Sequence, residues 1–198
     1  MLPQHEPIPA DASVSNAPAA LDLEQLRASI RTVPDFPKPG IQFRDITTLL
    51  SEPAALRTSV SLLADMARDQ GATVVAGMEA RGFIFGAAVA IHAGLGFVPI
   101  RKPGKLPVET IGVDYALEYG TDRLELDPSA LAPGARVALV DDLIATGGTA
   151  LAAAELVTLT GAHVAAALFV VDLPDLGGSA RLRDADIPVH SLVSFDGD

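Results

Sequence analysis

The chain of 198 residues contains no cysteine. That excludes a disulfide scaffold, a cysteine-ligated zinc or iron–sulfur site, and a thiol nucleophile. Basic residues are scarce: 14 Lys and Arg face 25 Asp and Glu, giving a net charge of −11 and an isoelectric point near 4.6. A general basic field for DNA or an anionic membrane is therefore missing, and no nucleic-acid or membrane partner is expected. An anionic ligand would need a local cluster of donors working against the net charge. Long apolar runs are also missing. The longest stretch without formal charge, Gly82 to Ile100, spans 19 residues, but His92, Gly86, Gly94, Gly96 and Pro99 interrupt it. It reads as a buried helix and then a buried strand, not a membrane span. The opening MLPQHEPIPA has neither the Lys/Arg nor the apolar core of a secretory signal, so a cytoplasmic protein is expected. The four histidines stand at no metal-ligand spacing.

What is present suffices for a core: 49% of residues are hydrophobic and 20% charged. Residues 1–20, with Pro3, Pro7, Pro9 and Pro18, read as a disordered tail, and 21–198 as one domain. Asp22 and Gln25 have the spacing of a capping box. Leu23, Leu26, Ile30 and Val33 then predict a helix that Pro34 stops. A proline-stiffened loop leads into a short extended piece. Ser51 is the expected cap of a second helix carrying Leu56, Val60, Leu63 and Ala67 on one face, with Gly71 just past its end.

Thr73 to Gly77 predicts a buried strand, Gly82 to Ala93 a helix, and Phe97 to Ile100 the next strand. Residues 101–114 read as a long loop. Two alternating segments around Gly120 read as a hairpin. Arg136 to Asp142 is a strand, Thr149 to about Thr160 a helix, and His163 to Val171 another buried strand. A last strand is expected in PVHSLVSF. Strands alternating with helices, several apolar throughout, imply a doubly wound α/β fold with a mainly parallel sheet.

The most informative stretch is RVALVDDLIATGGTAL, residues 136–151. A buried strand ends in two acids, Asp141 and Asp142; a turn holds Gly147 and Gly148; a helix then opens at Thr149. In open α/β sheets ligands bind beyond the carboxyl ends of the strands. Glycines allow close backbone approach, and the free N–H groups of a first helical turn face an anion. Thr146 and Thr149 add hydroxyl donors. No Lys follows the second Gly, so this is not a Walker loop, nor is it G-x-G-x-x-G. Two acids beside a phosphate cradle suit sugar hydroxyls, or a Mg²⁺ carrying a second phosphate group. A sugar phosphate fits better than a triphosphate.

VALVDDLIATGGTA resembles the phosphoribosyl pyrophosphate signature of type I phosphoribosyltransferases. The resemblance implies that Ala145, Thr146, Gly147, Gly148 and Thr149 cradle the 5′-phosphate, and that Asp141 and Asp142 hold the ribose hydroxyls. Four further segments resemble the adenine phosphoribosyltransferase family: VPDFPKPGIQFRDIT (33–47), AGMEARGFIFG (76–86), IRKPGKLP (100–107) and YALEYGTD (115–122).

IRKPGKLP gathers Arg101, Lys102 and Lys105 just after a strand. There they could stabilise charge developing on departing pyrophosphate, the role the resemblance also implies. Arg81 stands at a helix start, where it could bind an anion, pair with Glu79 or meet a neighbouring subunit. The resemblance implies a pyrophosphate-binding loop here, with an unusual cis peptide at Glu79–Ala80, close to a dimer interface. It further implies that adenine lies between Phe43 and Leu143, that Gln42 and Arg44 read its edge largely through backbone groups, and that Glu118 faces N7 as the acid–base group. The expected reaction is adenine + phosphoribosyl pyrophosphate → AMP + pyrophosphate, Mg²⁺-dependent, in a homodimer. Two other readings compete: a phosphoribosyl pyrophosphate sensor that has lost catalysis, and an enzyme for another base such as xanthine or hypoxanthine.

Overall fold

The computed structural model describes residues 20–117 and 120–197. In chain order these form α1 (Leu23–Ala28), β1 (Arg31–Pro34), β2 (Gln42–Asp45), α2 (Thr47–Ser51), α3 (Pro53–Asp69), β3 (Val74–Met78), α4 (Gly82–Ala93), β4 (Gly96–Ile100), β5 (Ile111–Leu117), β6 (Gly120–Leu126), β7 (Arg136–Ile144), α5 (Gly148–Leu159), β8 (His163–Asp172), α6 (Gly178–Asp184) and β9 (Val189–Ser194). Two short 3₁₀ turns, Pro128–Ala130 and Pro174–Leu176, complete the path.

Five strands make one parallel sheet in the order β4-β3-β7-β8-β9. The apolar strands are explained by burial on both faces. Along β7 the side chains alternate: Val137 and Leu139 join a core with Leu156 and Ala153 of α5, while Ala138 and Val140 join a second with Leu63 of α3 and Phe85 of α4. The expected doubly wound α/β architecture is therefore the observed one. From β3 the chain crosses through α4 to β4 at one edge. From β7 it crosses through α5 to β8 on the other side. The order thus reverses between β3 and β7, and a crevice opens past their carboxyl ends. Two antiparallel pairs, β1–β2 and β5–β6, stand outside the sheet.

Several local expectations need correction. The capping box forms as read: the Asp22 carboxylate accepts from Gln25 N at 2.8 Å, and the Gln25 amide accepts from Asp22 N at 3.0 Å. The helix nevertheless ends at Ala28. Residues 31–34 pair with 42–45 instead, because a tertiary ladder offers their backbone more bonds than another helical turn would. Val33 therefore belongs to β1. Ser51 does not cap the long helix; it closes α2, donating to the Thr48 carbonyl at 3.0 Å. Glu52 caps α3, and Pro53 sits at its first position, where the missing N–H costs nothing. Strand β7 runs two residues past Asp142, to Ile144. Helix α6 was not anticipated; GSARLRD is only seven residues long and opens on a glycine just after the cap Gly177, so its helical signal is weak.

Candidate active site

At the crevice between β3 and β7 lies a cleft of about 220 Å³. One wall is the unbroken run Asp141–Ala150; the other carries Glu79, Ala80, Arg81, Lys102 and Tyr115. The loop after β7 turns at Gly147, whose φ of +80° is a conformation side chains resist. Helix α5 then begins at Gly148 with no side-chain cap. Among the described residues, the N–H groups of Thr146, Gly147, Gly148 and Thr149 meet no protein acceptor. A strand end, a left-handed glycine and a helix start together leave a row of donors for an anion.

Asp141 and Asp142 differ in environment. Burial, reinforced by the charge of Asp142, pushes the Asp141 carboxyl well above the usual carboxylate range. Asp142 is paired: Arg81 Nε donates to its Oδ2 at 2.5 Å. The Asp142 side chain is only 5% exposed, whereas that of Arg81 is 58% exposed. Arg81 therefore covers Asp142 from the solvent side and does not pair with Glu79. Glu79 binds the basic loop instead, accepting from Arg101 Nε at 3.2 Å and from the Lys102 backbone N at 2.9 Å. These two bonds, the Arg101 one foremost, hold its carboxyl below the usual range. The Glu79–Ala80 peptide is cis, as the family resemblance implied.

Of the three basic residues of that loop, only Lys102 lines the cleft. Its ammonium donates to the Tyr115 hydroxyl at 2.8 Å and to Asp122. Burial opposes the Lys102 charge, but these bonds outweigh it and raise its pKa above the ordinary lysine range. Arg101 is held by Glu79 and by the Lys105 carbonyl, and Lys105 is exposed away from the cleft. Glu118 lies outside the described residues.

Beside the cleft is a second, more apolar pocket of about 440 Å³, lined by Val33, Phe36, Phe43, Ile46 and Arg81 among others. Phe36 and Phe43 meet edge to face, centroids 5.2 Å apart. Arg81 borders both pockets. Arg44 also lines this pocket, but its guanidinium is already partnered: it donates to Thr32 Oγ1 at 2.6 Å and lies 4.5 Å over the Phe195 ring. Any reading of a base by this segment would fall to backbone groups. Gln42 sits on β2 opposite Pro34 and lines neither pocket. Leu143 lines the polar cleft, not the pocket of Phe43.

The phosphoribosyl transferase domain family matches residues 45–188. An adenine phosphoribosyltransferase of Erythrobacter litoralis is 66% identical over 177 residues, covering 89% of this chain and 99% of that one. The chain belongs to the adenine phosphoribosyltransferase family. Among solved structures, the adenine phosphoribosyltransferase of Thermoanaerobacter pseudethanolicus aligns with a TM-score of 0.82 at 46% identity, covering 87% of this chain and 99% of that one. That of Saccharomyces cerevisiae, complexed with adenine and an imino-altritol bisphosphate, aligns with a TM-score of 0.81 at 35% identity over 86% and 98% of the two chains.

Glu79, Tyr115 and Asp122 were not read as site residues from the sequence. Their effect comes from contacts spanning 13 to 23 positions, which no local motif reports. Among the described residues, no group of three His, Asp or Glu could hold a metal. The paired carboxylates Asp141 and Asp142 nevertheless suit Mg²⁺, which takes one or two carboxylates and fills its remaining positions with water and phosphate oxygens.

Proposed function

We propose that this site transfers the phosphoribosyl group of phosphoribosyl pyrophosphate to N9 of adenine. The C1′–oxygen bond to pyrophosphate breaks, its electron pair leaving with pyrophosphate, and the N9–C1′ bond forms to give AMP. The observation that carries this reading is the junction at Arg81 of a polar cleft with a two-phenylalanine pocket. One compartment suits a sugar phosphate and the other a flat aromatic base.

In this reading the N–H groups of Thr146 to Thr149 hold the 5′-phosphate, with Ala145 in the same loop, and Asp141 and Asp142 take the ribose hydroxyls. Phe43 stacks on the base, with Leu143 on the opposite side, and backbone groups of Gln42 and Arg44 read its edge. Arg81 leaves Asp142 and, with Lys102, meets the pyrophosphate. Arg101 and Lys105 join when the basic loop closes, which also excludes water. Glu118 faces N7: adenine in its N7–H form passes that proton to the Glu118 carboxylate as N9 gains its bond to C1′, so the product leaves without a ring N–H. Asp141 and Asp142 would hold Mg²⁺ brought in with the substrate, and the ion would there neutralise pyrophosphate charge.

A cytoplasmic homodimer is part of the same reading. Helix α4 leaves Ile84 and Ile91 exposed, an apolar surface a second copy could cover. No helix among the described residues is long and apolar enough to cross a membrane.

The test is pyrophosphate release from phosphoribosyl pyrophosphate and Mg²⁺ with adenine, hypoxanthine, guanine, xanthine or uracil. Release with adenine alone is expected. Release with another base instead would void the adenine-pocket assignment. No release with any base, alongside measurable phosphoribosyl pyrophosphate binding, would favour a sensor.

A further inference from the structure

The phosphate loop is held from behind by the unanticipated helix α6. Gly178 N donates to the Ala145 carbonyl at 2.9 Å, and Arg181 donates to the Thr146 carbonyl at 2.7 Å. The approach demands glycine at 178 by contact, and at 147 a tight contact adds to the positive φ. A Cβ on Gly178 would lie 2.3 Å from the Ala145 carbonyl oxygen, and one on Gly147 would lie 3.0 Å from Gly178 Cα. The helix is itself fixed. Ser179 Oγ donates at 2.7 Å to Asp172, both groups being buried at the end of β8, and Leu182 is fully buried.

A trans peptide points its C=O and N–H in opposite directions. A donor that fixes the Thr146 carbonyl therefore fixes the direction of the Gly147 N–H, one of the groups with no protein acceptor. We propose that Arg181 is a positioning residue for the phosphate loop: its bond to the Thr146 carbonyl orients the loop for the 5′-phosphate, though Arg181 reacts with nothing itself. This rests on the assignment of that loop to the 5′-phosphate. The cationic donor also adds positive potential behind the loop, in a chain of net charge −11.

The test compares Arg181→Ala and Arg181→Lys with the unaltered full-length protein. Binding of ribose 5-phosphate, of pyrophosphate and of adenine is measured separately, together with KM for phosphoribosyl pyrophosphate. Arg181→Ala should weaken ribose 5-phosphate binding about tenfold, the effect of one lost charge-assisted bond, and raise KM for phosphoribosyl pyrophosphate by a similar factor. Pyrophosphate and adenine affinities should stay within about twofold, and Arg181→Lys should recover most of the loss. Unchanged ribose 5-phosphate affinity would overturn the proposal. Equal losses for all three ligands would also overturn it, showing a general structural role. If the unaltered protein bound ribose 5-phosphate but made no AMP, the functional reading would fail while the positioning role remained measurable.

Discussion

The polar cleft and the apolar pocket share Arg81 yet are built differently. The cleft rests on ten consecutive residues, Asp141 to Ala150, at the end of a central strand. The pocket is assembled from the β1–β2 arm, outside the main sheet, with Phe36 half exposed. One is a backbone site whose donors are fixed by the fold and leave little freedom to lose on binding. The other is a side-chain site whose contribution is apolar area. In the proposed reading this division suits a reaction that joins a phosphoribosyl donor to a base: the donor would meet the rigid framework, and the base an arm outside the main sheet.

That contrast is broken most sharply at Asp142. Asp142→Asn removes a buried carboxylate and should lower kcat/KM for phosphoribosyl pyrophosphate about 100-fold, the order expected for losing a charged hydrogen-bonding group. Adenine affinity should stay within about twofold. Equal losses on both substrates would show the two compartments to be one. Glu118→Ala should lower kcat by about 100-fold with little change in either affinity, the lower end of acid–base contributions; steady-state kinetics with each substrate varied would remove the residue from the mechanism if kcat held.

The reciprocal change, Phe43→Ala, should raise KM for adenine about tenfold through lost aromatic contact and leave ribose 5-phosphate binding alone. A weakened ribose 5-phosphate affinity, read by calorimetry, would contradict the separation. The smallest expected effect is on stability. Because the fold raises the Asp141 pKa, it favours the neutral carboxyl; stability is fully present below the ordinary carboxylate pKa and is lost as pH rises through the raised value. Asp141→Asn should therefore raise Tm at pH 7 by about 2–4 °C, as about 1 kcal/mol does in a domain of this size. The gain should disappear near pH 3. A gain that persisted at low pH would mean that packing, not charge, was relieved.

The strands and the glycine turn after β7 were legible because their signals are local. A buried parallel strand is apolar along its whole length, and Gly147 must sit where φ turns positive. The helix Gly82–Ala93 could be bounded by eye because Gly94 closes it in the left-handed region. Val33 misled because its helical spacing is compatible with an edge strand once Phe43 lies opposite. Helix α6 has too few residues to announce itself, yet it holds the loop that matters most.

The sequence by itself determined the alternation of strands and helices, the glycine turn after β7 and the two acids beside it, since each depends on neighbours within a few positions. Tertiary structure alone decided which charges meet. Arg81 faces Asp142, 61 positions away, and not Glu79; Glu79 fastens Arg101 and the backbone of Lys102; only Lys102 of the basic trio enters the cleft. Ion pairing falls steeply with distance and with exposure, so these partners were set by the side-by-side order of β4, β3 and β7 in the sheet and could not be read from spacing along the chain.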